Sequence, residues 1–258
     1  MVKLKNYDLV VKHFVLLLTF IFLISCAEKK YAVTKIEGRE IGITDKNSEV
    51  AAIENFIKPY RDRIDADLNT VLANAPETID KSGEWQTSMG NFLADITFEK
   101  SDKIFQMREQ QSIDICLLNH GGIRSIITKG NVTARTAYEV MPFENSAVVI
   151  GLKGEQVLEM INYIITEKKP HPLKGLTFTI DKNNLPRNIL VHGKSLDATK
   201  VYNVVTSDYL SNGGDNMLFF KKEVVHYNLN YKLRNIIIDY LKENKSIVAN
   251  KDIRISKE

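Results

Sequence analysis

The sequence predicts an α+β fold, a layered domain built on a mixed sheet. Apolar residues recur at helical spacing in some segments and alternate with period two in others, as in Leu176–Ile180. These segments follow one another without the strict strand–helix–strand alternation of a parallel α/β protein. The 258-residue chain is 44% hydrophobic and 9% aromatic, an ordinary globular composition. Its length suits one domain with a sizeable core after an N-terminal segment.

Four segments show helical periodicity. The first has apolar residues three or four apart, at Ile53, Phe56, Ile57, Tyr60, Ile64, Leu68 and Val71. Pro59 interrupts this stripe, so the helix either kinks there or begins there. The second segment contains Met89, Phe92, Leu93 and Ile96, with Thr87 or Ser88 as its N-cap. The remaining predicted helices are Glu155–Thr166 and Tyr231–Glu243.

Short apolar or alternating runs predict the strands between these helices. They are Ile113–Leu118, Ala147–Leu152, Leu176–Ile180, Asn188–Val191, Val201–Ser207 and Met217–Phe220. Asp181–Pro186 has the composition of a turn. Asp252–Ser256 is predicted as a final edge strand, and a further strand is predicted near Ile41–Ile43.

The first 25 residues have the pattern of a secretory signal peptide. Three lysines precede an apolar run from Phe14 to Ile24, which is shorter than the roughly 20 residues of a transmembrane helix. The run ends in Leu-Ile-Ser followed by Cys26, which resembles a bacterial lipobox. We expect Cys26 to carry lipid and to anchor the protein in the bacterial cell envelope. The alternatives are an uncleaved anchor, or an ordinary signal peptide with a chance cysteine.

This assignment divides the chain into three parts. Residues 1–25 are the signal peptide, residues 26–49 a polar tether, and residues 50–258 the folded domain. Removing residues 1–25 takes away three lysines and one aspartate from 35 basic and 32 acidic residues, which leaves 32 against 31. A net charge of +1 gives no electrostatic basis for binding nucleic acid. The second cysteine, Cys116, is expected to be a buried free thiol.

Three predicted loops carry most of the functional information. Asn119–Arg124 follows a buried strand and contains two glycines, an amide and a guanidinium. Met141–Asn145 places Phe143 and Asn145 after a rigid proline. Asp208–Asp215 again follows a strand and supplies Tyr209, a double-glycine turn and the Asp215 carboxylate.

Each loop taken singly also has a purely structural explanation. A Gly-Gly pair after a strand is usually a turn, and Asp215 after such a pair fits a turn-stabilising side chain. Phe143 and Tyr209, taken alone, are more often core residues than residues that stack on a ligand. Together the loops supply two aromatic faces, one guanidinium, two amides and one carboxylate. Those groups suit a planar base with an attached sugar and phosphate.

Five short segments in order give the chain a family resemblance. They are Met89–Asp95, Asn119–Arg124, Pro142–Asn145, Lys174–Leu176 and Asn212–Asp215. Their order and spacing resemble the C-terminal domain of the 5′-nucleotidase and UDP-sugar hydrolase family, from about residue 50 to near the C-terminus. The resemblance implies that domain's layered α+β fold and a role in recognising nucleotides or nucleosides during nucleotide catabolism.

The resemblance also implies roles for individual residues. Phe143 and Tyr209 would clamp the nucleobase, although the family often has phenylalanine at the second position. Asp215 would accept hydrogen bonds from ribose hydroxyls, and Arg124 would contact phosphate or ribose. Asn119 and Asn145 would contact the edge of the base, and Gly175 would line the pocket.

One departure concerns the phosphate side of the expected site. The family commonly has an arginine a few residues before the Met-Gly-Asn segment, whereas residues 82–86 here read Ser-Gly-Glu-Trp-Gln. Glu84 would repel phosphate rather than attract it. The sequence is therefore compatible with a nucleoside-like ligand as well as with a nucleotide.

The resemblance covers only the C-terminal domain of these proteins, and that domain does not contain the metal centre. The reaction belongs to a metallophosphatase domain with two metal ions held by Asp, His and Asn clusters, and this sequence contains no such cluster. We expect no catalytic or metal-binding residues here, and His120 is not expected to be a ligand. The divalent metals are expected on a separate metallophosphatase chain.

Three hypotheses follow. In the first, the protein is the specificity subunit of a split 5′-nucleotidase and works with a metallophosphatase partner. In the second, it is a stand-alone lipoprotein that binds nucleosides or nucleotides. In the third, it is a degenerate structural domain without a ligand. The resemblance to a hydrolase family does not by itself give this chain intrinsic activity.

Overall fold

The computed structural model describes residues 7–23, 32–44 and 47–258. The chain divides into an N-terminal unit that ends at Ala51 and a larger unit, Ala52–Glu258. Helix α1 (Tyr7–Leu23) lies in the first unit, and no described helix combines the length and apolar character that a bilayer span requires. Residues 32–44 form neither helix nor strand, so the strand predicted near Ile41–Ile43 is wrong. Cys26 lies outside the described residues.

The remaining elements are given in chain order. The helices are α2 (Ala51–Leu68), α3 (Ser88–Glu109), α4 (Ala134–Val140), α5 (Gly154–Glu167), α6 (Asp208–Ser211) and α7 (Leu233–Glu243). The strands are β1 (Val71–Ala75), β2 (Ile115–Leu117), β3 (Gly130–Thr133), β4 (Ser146–Lys153), β5 (Leu173–Lys174), β6 (Leu176–Ile180), β7 (Pro186–Val191), β8 (Lys194–Ser195), β9 (Val201–Ser207), β10 (Val225–Lys232) and β11 (Ile255–Lys257).

Most strands belong to two mixed sheets. The larger sheet has the order β10-β4-β9-β2-β5, in which β2 and β9 pair in parallel and the other neighbours are antiparallel. The smaller has the order β11-β6-β7-β8, with β11 parallel to β6 at one edge. Strands β1 and β3 form a separate antiparallel pair. The predicted α+β class with mixed sheets is therefore confirmed.

The five-stranded sheet is buried on both faces. Along β4, Ala147 and Val149 face the hydrophobic cluster that contains residues of α3 and α7, whereas Val148 and Ile150 face the cluster that contains α5. The alternation follows from the two-residue period of a strand. Each fully buried Val or Ile contributes about 1.5–3 kcal/mol relative to an exposed one. This burial makes the sheet a rigid base for the loops at its edge.

Helix α3 shows that part of the Met89–Asp95 segment stabilises the fold. Thr87 is its N-cap, as predicted, and accepts a hydrogen bond from the Gly90 amide at 2.8 Å. Asn91 donates its side-chain amide to two carbonyls of the C-terminal segment, 3.0 and 3.1 Å away. Asp95 pairs with the buried guanidinium of Arg254. These contacts tie α3 to the segment that leads into β11.

Helix α2 differs from the prediction in two respects. It begins at Ala51 and continues through Pro59, so a helix start at the proline is wrong. Val71 belongs to β1 and not to the helical stripe. No residue of α2 is buried, so the carbonyl that loses its hydrogen-bond donor at Pro59 can be solvated by water. Arg135 on α4 donates to Asp65 at 2.7 Å and attaches the end of α2.

Several other boundaries differ from the sequence prediction. The strand predicted at Met217–Phe220 is wrong, because Leu218–Lys222 forms a 3₁₀ helix. The last helix begins at Leu233 and not at Tyr231, because β10 extends to Lys232 and pairs with β4. The final strand is shifted to Ile255–Lys257. Periodicity missed α4 and the strands β1, β3 and β10, which are short or only partly buried.

Cys116 is a buried free thiol in β2, as predicted. Burial raises the pKa of this thiol far above its ordinary value, and the nearby charges of Arg254 and Asp95 act less strongly. Its side chain belongs to the cluster between the sheet and α3. Cys116 therefore acts as a small apolar core residue.

Candidate functional site

The candidate site lies at one edge of the five-stranded sheet, where three loops meet. Strands β2 and β9 are parallel, so their carboxyl ends reach the same edge. Strand β4 is antiparallel to β9 and therefore begins at that edge, with Ala147 opposite Ser207. The loop after β2, the loop before β4 and the loop after β9 are thus brought together by strand order alone.

These loops enclose a cavity of about 400 Å³, within the range of small-molecule sites. Its lining includes six of the seven residues predicted from the sequence. They are Asn119, Arg124, Phe143, Asn145, Tyr209 and Asp215. Gly121 and Gly122 complete the lining. The structure does not place Gly175 with them.

The two predicted aromatic residues are both partly exposed in this cavity. Phe143 is 43% exposed and Tyr209 is 45% exposed. Neither belongs to the hydrophobic clusters on the two faces of the sheet. A core role for these side chains is therefore excluded, and both rings are available to contact a ligand.

Asp215 is the centre of a hydrogen-bond network in the cavity. Its Oδ2 accepts from the Asn119 side-chain amide at 2.7 Å, and its Oδ1 accepts from the Tyr209 hydroxyl at 2.9 Å. The Asp215 amide donates to the same hydroxyl at 3.2 Å, and its carbonyl accepts from Tyr163 at 2.7 Å. Each carboxylate oxygen has two acceptor positions, so each retains one for a ligand.

The double-glycine turn before Asp215 allows Tyr209 to pack closely. A Cβ atom on Gly214 would lie 2.5 Å from the Tyr209 ring, so a larger residue would displace it. Asp215 has φ of 51°, a left-handed conformation that Asp tolerates better than most residues. The turn and the hydroxyl bonds together fix the orientation of the ring.

Arg124 and Asp215 are the charged residues of the lining. The Arg124 side chain is exposed and donates to the Gly121 carbonyl at 3.4 Å. Its backbone amide donates to the Val140 carbonyl at 2.9 Å, which joins the first loop to the segment before Phe143. The cavity thus presents one guanidinium and one carboxylate.

One histidine, His120, belongs to the first loop, and a second, His171, is hydrogen-bonded to its backbone. The His171 ring is buried and its Nδ1 accepts from the His120 amide at 3.2 Å. Burial, with smaller effects of His120 and Lys169, lowers the pKa of His171 to about 4. Burial and Lys81 also lower the pKa of His120. Among the described residues, no group of three or more His, Cys, Asp or Glu side chains could hold a metal ion.

Sequence reasoning missed Tyr163 on α5. Its hydroxyl donates to the Asp215 carbonyl, and its ring contacts His171 and Phe219. Burial raises the pKa of Tyr163 to about 12, with smaller effects of Glu167 and Asp215. Nothing in the sequence marks this residue, because it lies beside the apolar stripe of an ordinary amphipathic helix.

The stretch that lacks the family's arginine has a structural role. Trp85 is buried with α5 in the second cluster, and the Gln86 side chain accepts from the Arg254 and Ile255 amides. Glu84 is exposed and does not line the cavity. Residues 82–86 therefore help to hold β11 and add no charge to the cavity.

Gly175 lies in a separate depression with Lys174, His192 and Arg254. Its φ is +81°, and a Cβ atom there would lie 2.0 Å from the Asp114 carbonyl oxygen. Gly175, between β5 and β6, must therefore be glycine because its backbone passes so close to that of Asp114.

The fold and cavity define a layered α+β domain whose candidate ligand site is built from loops at the edge of a mixed sheet. The family model for the 5′-nucleotidase C-terminal domain matches residues 69–222, so the chain belongs to this family. A 5′-nucleotidase of Vibrio vulnificus (strain CMCP6) is 23% identical over 231 residues, which cover 86% of this chain and 40% of that protein. This chain thus corresponds to well under half of that relative's length.

Solved structures share this fold. The 5′-nucleotidase precursor of Thermus thermophilus superposes with a TM-score of 0.68 at 25% identity, over 79% of this chain and 42% of that one. The NAD nucleotidase of Haemophilus influenzae has the same fold, with a TM-score of 0.62 at 16% identity, over 82% and 42% of the two chains.

We predict that Gly175→Ala destabilises the fold by more than about 2 kcal/mol, because the substitution combines left-handed strain with a backbone clash. Gly193→Ala is the matched control, since Gly193 has φ of +76° but no atom within 4 Å of an added Cβ. Urea denaturation of both variants measures the difference. Equal destabilisation would show that the contact with Asp114 is unimportant.

Proposed function

We propose that this protein recognises nucleotides or nucleosides and acts in nucleotide catabolism as part of a 5′-nucleotidase-type hydrolase. The observation that carries the proposal is the pair of half-exposed rings, Phe143 and Tyr209, in one cavity with a hydrogen-bonded carboxylate. Family membership supports the same conclusion.

The lining residues match the parts of such a ligand. The rings of Phe143 and Tyr209 would stack on the base, which is worth about 1–3 kcal/mol for each stacking partner. Asp215 retains one acceptor position on each oxygen, as two neighbouring ribose hydroxyls require. The amides of Asn119 and Asn145 would contact the base edge, and Arg124 would contact phosphate or ribose.

Hydrolysis requires a second component under this proposal. Two metal ions would activate a water and stabilise the displaced phosphate, and the described residues include no cluster that could hold them. Following the family resemblance, we propose that a separate metallophosphatase chain holds the divalent metals, and that this chain contributes substrate specificity.

A stand-alone binding protein is the second candidate, and one observation favours it. The Asp215 carboxylate accepts hydrogen bonds from Asn119 and Tyr209 of the same chain. A site that is organised before binding loses less entropy when the ligand arrives. Under this alternative, the protein binds its ligand without any catalytic partner.

Calorimetric titration with adenosine and AMP tests ligand recognition. We expect the double variant Phe143→Ala/Tyr209→Ala to lose at least about 30-fold in adenosine affinity, because two stacking contacts disappear. Phe56→Ala is the control, since it removes an aromatic ring that is 71% exposed on α2, outside the cavity. A ratio of AMP to adenosine affinity above one that is lost in Arg124→Ala would show that Arg124 binds phosphate. No heat with either ligand would contradict the stand-alone alternative.

Phosphatase assays test the need for a partner. We expect the purified chain with added Mn²⁺ or Mg²⁺ to release no phosphate from AMP above the buffer rate. Addition of the metallophosphatase chain from the same organism should produce or redirect AMP hydrolysis, and Phe143→Ala/Tyr209→Ala should abolish that effect. Metal-dependent turnover by the chain alone would overturn the division of roles.

We also propose that lipid on Cys26 attaches the protein to the bacterial cell envelope. The Leu-Ile-Ser-Cys sequence and the apolar helix α1 before it support this location. Metabolic labelling with a radioactive fatty acid should mark the wild-type protein and the Cys116→Ala control but not Cys26→Ser. Label that persists in Cys26→Ser would exclude this anchor.

A further inference from the structure

The segment that carries Phe143 is held by residues that follow it by about 90 positions in the chain. The Leu233 amide donates to the Asn145 carbonyl at 3.0 Å, and Lys232 donates to the Glu144 carbonyl at 2.6 Å. Arg234 donates to the Pro142 carbonyl at 3.1 Å and also bonds the Glu144 carboxylate. The start of α7 therefore supports the whole Pro142–Asn145 segment.

Arg234 differs from the other supports because its charged side chain is buried. It is 7% exposed, and its guanidinium lies 4.2 Å from the centroid of the Tyr138 ring. Glu144, its ionic partner, has a side chain that is 68% exposed. The hydrogen bond from Arg234 lowers the pKa of Glu144. A buried charge with few alternative partners holds its contacts in a fixed geometry.

The two contacts of Arg234 lie on either side of Phe143 in the sequence. One is the carbonyl of the preceding residue, Pro142, and the other is the side chain of the following residue, Glu144. The Phe143 ring belongs to neither core cluster, so core packing does not set its position. The backbone on both sides must do so instead.

We propose that Arg234 is a positioning residue for the Phe143 ring and thereby for base recognition. Arg234 itself does not line the cavity, so it acts only through the Pro142–Glu144 segment. The inference rests on the proposed function for the identity of the ligand, whereas the positioning itself is a property of the protein alone. Lysine cannot replace Arg234, because one ammonium group does not reproduce the planar fork that reaches both partners.

The first experiment measures the ring directly in the full chain. 4-Fluorophenylalanine at position 143 gives one ¹⁹F signal, which we expect to be broadened or split by Arg234→Lys and by Glu144→Ala. Arg187→Lys controls for the same exchange away from the cavity, because Arg187 lies on β7 and forms an ion pair with Asp181. Glu144 is exposed, so Glu144→Ala remains informative if Arg234→Lys fails to fold. A signal that neither variant changes would overturn the proposal.

The second experiment measures the consequence for binding. We expect Arg234→Lys to weaken adenosine binding about three- to tenfold, the effect of ordering one further side chain on binding. Binding of ribose 5-phosphate, which has no base, should not change. In a Phe143→Ala background, Arg234→Lys should have no further effect on adenosine binding. An equal loss for both ligands, or full additivity with Phe143→Ala, would show general structural damage and contradict the proposal.

The two experiments separate this proposal from the proposed function. If the wild-type protein binds neither ligand, nucleotide recognition by the chain alone is wrong, and the ¹⁹F signal still decides whether Arg234 positions Phe143. If adenosine binds with the same affinity to Arg234→Lys and to the wild-type protein, and neither Arg234→Lys nor Glu144→Ala changes the ¹⁹F signal, the role of Arg234 is wrong and nucleotide recognition stands.

Discussion

The candidate site depends on the pairing of β9 with β2 on one side and β4 on the other. Parallel pairing with β2 and antiparallel pairing with β4 place two strand ends and one strand start at the same edge of the sheet. Both faces of this sheet are buried, so the edge is rigid. Loops that are far apart in sequence therefore meet in a fixed arrangement around one cavity.

Within that frame, polar contacts between loops fix the individual side chains. Asp215 joins the first and third loops through Asn119 and Tyr209, while the Arg124 amide joins the first loop to the second through Val140. The second loop is supported from behind by α7. A hydrogen bond between neutral groups contributes about 0.5–1.5 kcal/mol to stability, and one to a charged group about 1.5–3 kcal/mol. The cavity is thus organised by the chain itself before any ligand binds.

The five segments that carry the family resemblance have different roles in the structure. Asn119, Phe143 and Asp215 line the cavity, whereas Asn91 and Asp95 attach the C-terminal segment to α3. Gly175 permits a close backbone contact away from the cavity. A sequence pattern cannot separate these roles, because a residue required by packing and one required by a ligand leave the same signature in a single chain.

The sequence by itself determined the α+β class, the long amphipathic helices and the strongly apolar strands, because their periodicity reflects burial that is local to each element. It also marked six residues that line one cavity, since their loops follow or precede buried strands. It missed β10, which is only partly buried along its length, and the 3₁₀ helix at Leu218–Lys222. Only the tertiary structure decided that Gly175 lies elsewhere and that Tyr163 and Arg234 support the site. Contacts between residues far apart in the chain depend on how the sheet and helices pack, which a local pattern does not encode.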